Sequence, residues 1–376
     1  MPLHIAWRIL MHQKGRTALA LGGIFIAILL IFVELGFFIA VPQGGLLIYD
    51  HMRFDLLIAS NKYIFQAESW QFPRTRLDEV SKNAGVARVS PVYLGGAKWQ
   101  NPGDGLRLDV AVLGSDPQAK LFAAPEVDRQ IEILERADTV LVDSQTRPIF
   151  GPLEPGRAVE INGRRVTIGG QYHLGTGFLG LGVVLANEAN FFRIFPTRRP
   201  ETVNLALVAL KPGVDPDQVA RELRAALPND TQIFTRPELN SHEVSFWTTR
   251  TGTGLIFGSG LVVAFVVGIM VLYQTLATQI TRQLPQFATL KAIGYSNGFL
   301  NGIVMIEAVL VMVLAFIPAL AAALGVYSVI RNQTLLPVNM TAAQLGGVFT
   351  ITLLMSGISA FLSLGRLRRA DPAEIF

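Results

Sequence analysis

Cysteine is absent from the 376-residue chain. No disulfide framework can staple it and no thiolate can act as nucleophile or metal ligand, while the redox compartment stays undetermined. Charge is scarce too. Asp, Glu, Lys and Arg make up 16% of the residues, against about 25% in a soluble globular chain. Hydrophobic residues make up 51%, so membrane integration is expected before any window is inspected. Motifs for chemistry are missing as well. No G-x-x-x-x-G-K-[ST] occurs, so the chain cannot build a P-loop, and no G-x-S-x-G supplies a hydrolase nucleophile. The five histidines, His4, His12, His51, His173 and His242, are scattered without H-E-x-x-H or any metal-ligand spacing. Gly175, Gly177 and Gly180 match G-x-G-x-x-G, but no helix of a βαβ unit follows, and a glycine-rich loop is the expectation. No catalytic, cofactor or metal site is assigned. The net charge of +4 is modest, and its basic clusters flank apolar runs, which argues for membrane topology and against nucleic-acid binding.

Four apolar runs are present: Ala18–Ala40, Gly254–Ala277, Leu300–Tyr327 and Ala342–Leu364. At about 1.5 Å per helical residue, each covers a hydrocarbon core of about 30 Å. The first follows a basic start, residues 1–17, which resembles a signal peptide, but it is too long for a signal core and lacks a small-x-small cleavage site. It reads as an uncleaved span, with Pro2–His12 as an interfacial helix anchored by Trp7. The fold class expected is a membrane protein, α-helical with four transmembrane spans, plus an α+β extracytoplasmic domain inserted between spans 1 and 2.

That domain is expected over residues 41–253. Asp55–Ser60, Ala111–Gly114, Thr139–Val142 and Val203–Leu210 read as strands, and Arg76–Asn83 and Pro216–Leu227 as short amphipathic helices. Asn162 and Gly163 form the strongest local hairpin signal. The apolar tract Phe178–Leu185 reads as a buried strand, with the lining of a lipid path as the alternative. Arg236–Arg250 reads as a helical stalk entering the second span.

Orientation follows from the short loops. Lys14 and Arg16 precede span 1, Arg282 and Lys291 lie between spans 2 and 3, and Arg366, Arg368 and Arg369 follow span 4. The external loop 329–341 carries Arg331 alone. Both termini and the 278–299 loop are therefore expected in the cytoplasm, with the large domain outside. Two acids stand in spans. Glu34 lies near the far end of the first, where reaching water is cheap. Glu307 lies deep in the third and either braces the bundle or takes part in a mechanism. Pro318 predicts a local kink. Small residues in the fourth span, among them Gly346, Gly347, Ser356 and Ser359, suit close helix packing.

The stretch Gln279–Phe299 (QITRQLPQFATLKAIGYSNGF) organises the rest. It is basic, without an acid, and Phe287, Leu290, Lys291 and Gly294 follow at helical spacing, closed by Ile293 and Gly294. A short separate helix held between two spans is expected. FATLKAIGYS resembles the coupling-helix segment of ABC-transporter permeases of the MacB/FtsX/LolC type, and most of all the DevC-type permeases. Asp371, Pro372 and Glu374 in the tail resemble that family's D-P-A-E ending. The one-plus-three span layout agrees.

The resemblance implies a non-catalytic permease subunit of a tripartite ABC exporter in the cell inner membrane, working as a homodimer. It implies a separate ATPase subunit, which binds the ATP and Mg, a periplasmic membrane-fusion adaptor and, indirectly, an outer-membrane TolC-type channel. DevC-like members point to a lipid or glycolipid cargo. Arg282, Phe287, Leu290, Lys291, Ile293 and Gly294 would contact the ATPase, with Asp371, Pro372 and Glu374 near it. The outer domain would combine a porter-like part (about 41–114 and 200–232) with an inserted β-rich subdomain (about 115–199). Two alternatives stay open. One is a same-fold protein that transmits force for lipoprotein release or envelope regulation. The other is a membrane-anchored sensor, for which the sequence offers no sizeable cytoplasmic output segment.

Overall fold

Alternation along the central strands decides how the domain packs. In β1 (Leu56–Ser60), Leu56 and Ile58 enter one apolar cluster while Leu57 and Ala59 enter another. Both faces of the strand are buried, so it reads as a continuous apolar run with no polar face. The computed structural model describes residues 14–101, 103, 105–175, 181–334 and 336–368. It resolves into two units. One is made of residues 41–251 with 336 and 337; the other contains the apolar helices.

The first unit is built on a nine-stranded sheet. After β1 and the short β2 (Phe72–Pro73) come β3 (Val86–Gln100), β4 (Arg107–Ser115), β5 (Thr139–Asp143), β6 (Ala158–Ile161), β7 (Arg164–Tyr172) and β8 (Val183–Asn187). The short β9 (Thr202–Val203), β10 (Leu205–Leu210) and β11 (Thr231–Thr235) complete the set. The sheet order is β11-β1-β10-β3-β4-β8-β5-β7-β6, with β2 and β9 paired separately. Most pairings are antiparallel; β4 with β8 and β5 with β7 are parallel. The stretch expected as a distinct β-rich insertion thus supplies β5–β8 to the same sheet, and no separate sheet stands there among the described residues. The β6–β7 hairpin turns at Asn162 and Gly163, both at positive φ (51° and 77°), as a two-residue turn with the right twist requires.

Helices cover both faces. On one, Leu77 and Val80 of helix Thr75–Ser81 join Val219, Ala220 and Leu223 of helix Pro216–Ala226. Asp215 caps the latter, its side chain accepting from the Asp217 amide at 3.1 Å, with Pro216 at the first turn. On the other face lie Leu46, Ile48 and Tyr49, at the end of the first long helix, and Leu239 of helix Arg236–Ser245.

Among the described residues, four helices are long and apolar enough to cross a membrane: Leu21–Asp50, Thr253–Ala292, Asn297–Gln333 and Ala342–Gly365. Each continues past the apolar run from which it was expected. The first helix runs unbroken from Lys14 to Asp50 with Pro42 inside, and the third from Asn297 to Thr334 with Pro318 inside. Ala264, Gly268, Leu272, Leu276 and Ile280 make an every-fourth-residue buried stripe on the second helix. Against it lies the fourth helix, with Met355 seated at Gly268. Ser359 and Ser363 donate hydroxyl bonds to the carbonyls of Ile269 (3.0 Å) and Tyr273 (3.5 Å). Small side chains that let backbones approach, with hydroxyls bonded between helices, are how apolar helices associate where no water drives them together.

Candidate coupling segment and stalk clamp

The coupling segment is not a separate short helix. The second long helix continues through Pro285 to Ala292 as one 40-residue element. It stops because Gly294 adopts φ +101°, closed to most side chains. The Gly294 amide donates to the Lys291 carbonyl (3.0 Å) and the Tyr295 amide to the Leu290 carbonyl (3.1 Å). This is a Schellman closure, with Leu290 three positions inside the end and glycine just past it. Ser296 then starts the third helix, its hydroxyl accepting from the Phe299 amide at 3.3 Å. Leu290–Ser296 is thus a stop signal joined directly to a start signal.

The candidate contact residues divide into two sets. Phe287 is buried among the apolar helices at 4% exposure, and Leu290 packs against that same core. Phe287 faces inward, and Leu290 is half-buried. Arg282, Lys291, Ile293 and Gly294 are exposed, Ile293 at 70%, with Tyr295 stacked on Phe299 beside them. An apolar side chain left that open, at a turn with Lys291 two residues away, fits a partner's groove better than it fits water. Asp371, Pro372 and Glu374, the interfacial segment 2–12 and the glycine motif from residue 176 lie outside the described residues. Glu307 is buried, and its Oε1 has no hydrogen-bond partner among the described residues. The Glu34 carboxyl lies against Gly260.

A second constellation was not expected. In the sheet unit, Tyr63 donates to Glu243 Oε1, and the hydroxyls of Tyr49 and Tyr63 are 2.7 Å apart. Glu243 is wholly buried and forms no ion pair among the described residues, and burial pushes its pKa up to about 7; burial also raises Tyr63. Tyr49 comes from the end of the first long helix and Glu243 from the stalk helix that precedes the second. Arg236 adds to this clamp. Its guanidinium donates to the carbonyls of Tyr49 (3.0 Å), Phe54 (3.2 Å) and Met52 and lies 3.9 Å over the Phe54 ring, capping the first helix. Phe65 stacks on Phe246 at 4.5 Å. The four-residue spacing of Leu239 and Glu243 places the acid on the stalk's buried face, a signal present in the sequence.

The MacB-like periplasmic core domain matches residues 17–226, and the FtsX-like permease C-terminal domain matches residues 258–372. The chain belongs to the MacB/FtsX-like family of ABC transporter permeases. Permease subunits of this family are in general non-catalytic. The spanning helices and the periplasmic-type domain between the first two fit an inner-membrane protein. Among solved structures, the periplasmic region of MacB from Actinobacillus actinomycetemcomitans is similar at 10% identity and TM-score 0.37, covering 52% of this chain and 94% of that one. The extracellular domain of the noncanonic ABC-type transporter YknZ from Gram-positive bacteria gives 12% identity and TM-score 0.34, covering 48% and 99%. A domain of a permease protein from Porphyromonas gingivalis, titled putative, gives 15% and 0.31, covering 49% and 87%. No curated protein sequence matches the permease.

Proposed function

We propose that the permease is the membrane subunit of a tripartite exporter, moved by a separate ATPase that binds ATP and Mg. The observation that carries this is the capped turn at Gly294, with Arg282, Lys291 and Ile293 exposed on an uninterrupted 40-residue helix. A push on that turn reaches the membrane span without crossing a flexible joint. The basic short loops support a cytoplasmic location for the turn and both termini, with the sheet unit in the periplasm. One coupling turn per chain suits a homodimer facing two ATPase subunits. The stalks, clamped by Tyr49, Tyr63 and Glu243, would deliver the motion to the outer domain and to a periplasmic membrane-fusion adaptor. That adaptor would lead to an outer-membrane TolC-type channel. Lipid or glycolipid cargo follows only from the DevC-like sequence resemblance.

The test is affinity capture from detergent-solubilised membranes, with partner identification. Recovery of a P-loop ATPase with the wild type, lost with Lys291→Glu and Ile293→Asp together, is the expected result. These positions are chosen because both are exposed, so the change spares the core. An adaptor recovered alongside favours export; an ATPase without one favours force transmission for lipoprotein release. Intact permease that brings down neither partner would sink the transporter role and favour a sensor.

A further inference from the structure

Beside the β3–β4 surface of the sheet unit lies a cavity of about 460 Å³, and three unusual features converge on its lining. Gln66 is 1% exposed, and neither atom of its side-chain amide has a hydrogen-bond partner among the described residues. An amide buried in that state costs stability unless something outside the chain completes it. Arg198 is half-buried, and burial lowers its pKa. Its Nη2 donates to the Leu94 carbonyl at 3.1 Å and to Asn204 Oδ1, but it forms no ion pair with a carboxylate among the described residues. Two acids line the same cavity: Asp109, whose carboxylate is taken by Lys98 at 2.6 Å, and Glu68, which is exposed to solvent.

Trp70 completes the set. It holds φ +52°, a region that a bulky side chain rarely enters, and the residue, 54% exposed, lines the cavity with Lys62 Nζ 5.5 Å from its ring centroid. Asn204 fixes both neighbours at once. Its Nδ2 donates to the Trp70 carbonyl (3.2 Å) and to Ser69 Oγ (3.1 Å), while its Oδ1 accepts from Arg198. Strain that is held in place by its surroundings, beside an unpaired cation and an unpaired amide, is the pattern of a prepared binding site.

We propose that this cavity binds a carboxylate adjacent to an amide, with an apolar side chain beside them. Arg198 keeps free donors for the carboxylate, a charge-assisted bond. The Gln66 side chain offers an N–H donor and a carbonyl acceptor, matching the carbonyl and N–H of a peptide amide, with a second N–H to spare. Trp70 supplies an apolar face. The smallest ligands with this chemistry are an N-acylated amino acid and the C-terminal residue of a peptide. The site holds whether or not the permease couples to an ATPase.

The test is calorimetric titration of the full-length permease in detergent with acetyl-Ala-Ala-Leu, its C-terminal carboxamide, and N-acetyl-leucine. The peptide acid is expected to bind, with the carboxamide weaker by about tenfold or more, since a charge-assisted bond is lost. Arg198→Met is expected to weaken the acid by a similar factor and leave the carboxamide unchanged. Gln66→Leu is expected to lose binding while raising the unfolding temperature, because an unsatisfied amide is removed. Equal binding by N-acetyl-leucine assigns the site to a free small molecule; tighter binding by the tripeptide assigns it to a polypeptide terminus. No saturable heat with either acid, equal affinity for acid and carboxamide, or a Gln66→Leu variant that folds and binds as wild type does would each overturn the assignment.

Discussion

At the residue scale, Gly294 bears most on the coupling turn. A Cβ at that position would meet nothing within 4 Å, so its intolerance of other residues is conformational and not steric. A branched side chain at φ +101° costs about 1–2 kcal/mol and favours a different ending to the helix. Gly294→Val is therefore expected to insert and accumulate normally but to lose ATP-driven export. Gly294→Asn, a residue that tolerates positive φ, should retain a substantial part. Export by the valine variant at the wild-type rate would remove the turn from the mechanism. The LKAIG motif was legible in the sequence because each residue has a capping position: leucine for the inner contact, glycine for the left-handed step. Which side chains face a partner was not legible. Phe287 and Lys291 share a helix, and only packing against the neighbouring helices separates the buried one from the exposed one. Replacing Phe287 with alanine thus tests the core, where such losses cost about 3–5 kcal/mol, and not the contact surface.

At the element scale, the end of the first long helix and the stalk helix meet through Tyr49, Tyr63 and Glu243, and the acid makes that junction sensitive to pH. Glu243 has its pKa raised from 4.5 to about 7 in the folded chain. The protonated form is the one that burial favours, so its contribution is fully present below about pH 4.5 and is lost as pH rises through about 7. A shift of that size corresponds to roughly 3 kcal/mol. Hydrogen exchange of residues 236–250 in the whole permease should show weaker protection at about pH 8 than at about pH 5, and Glu243→Gln should flatten the difference. The glutamine can still accept from Tyr63. A wild-type profile that is flat over this window would exclude Glu243 as the titrating group. The stalk itself was visible in the sequence as a helix. The clamp was not, because its partners are separated by almost the whole domain and no local pattern links them. The strands divide in the same way. β1, β5 and β10 stood out as apolar runs, whereas the 15-residue β3 carries Pro91, Gly95 and Gly96, which read locally as breaks. It is held instead by β10 on one side and β4 on the other.

At the scale of the whole molecule, four spans and one inserted domain were readable from hydropathy, because span length is set by the bilayer and not by the fold. The single sheet was less readable. The parallel pairing of β4 with β8 joins segments whose order in the chain suggests an insertion, and the sequence cannot show that hydrogen bonds cross that boundary. Orientation is the property on which the exporter proposal depends most, and the lack of cysteine makes it directly measurable. Ser296 at the coupling turn and Lys211 in the sheet unit are both exposed. Single-cysteine variants Ser296→Cys and Lys211→Cys would carry the only thiol in the chain. With a membrane-impermeant maleimide on cells whose outer membrane alone is permeabilised, Lys211→Cys should label and Ser296→Cys should not. After lysis, both should label. The reverse pattern would put the Gly294 turn outside the cell, where no ATP-driven subunit could reach it; the positive-inside argument and the coupling role would fall together, while the carboxylate site beside Arg198 would be untouched.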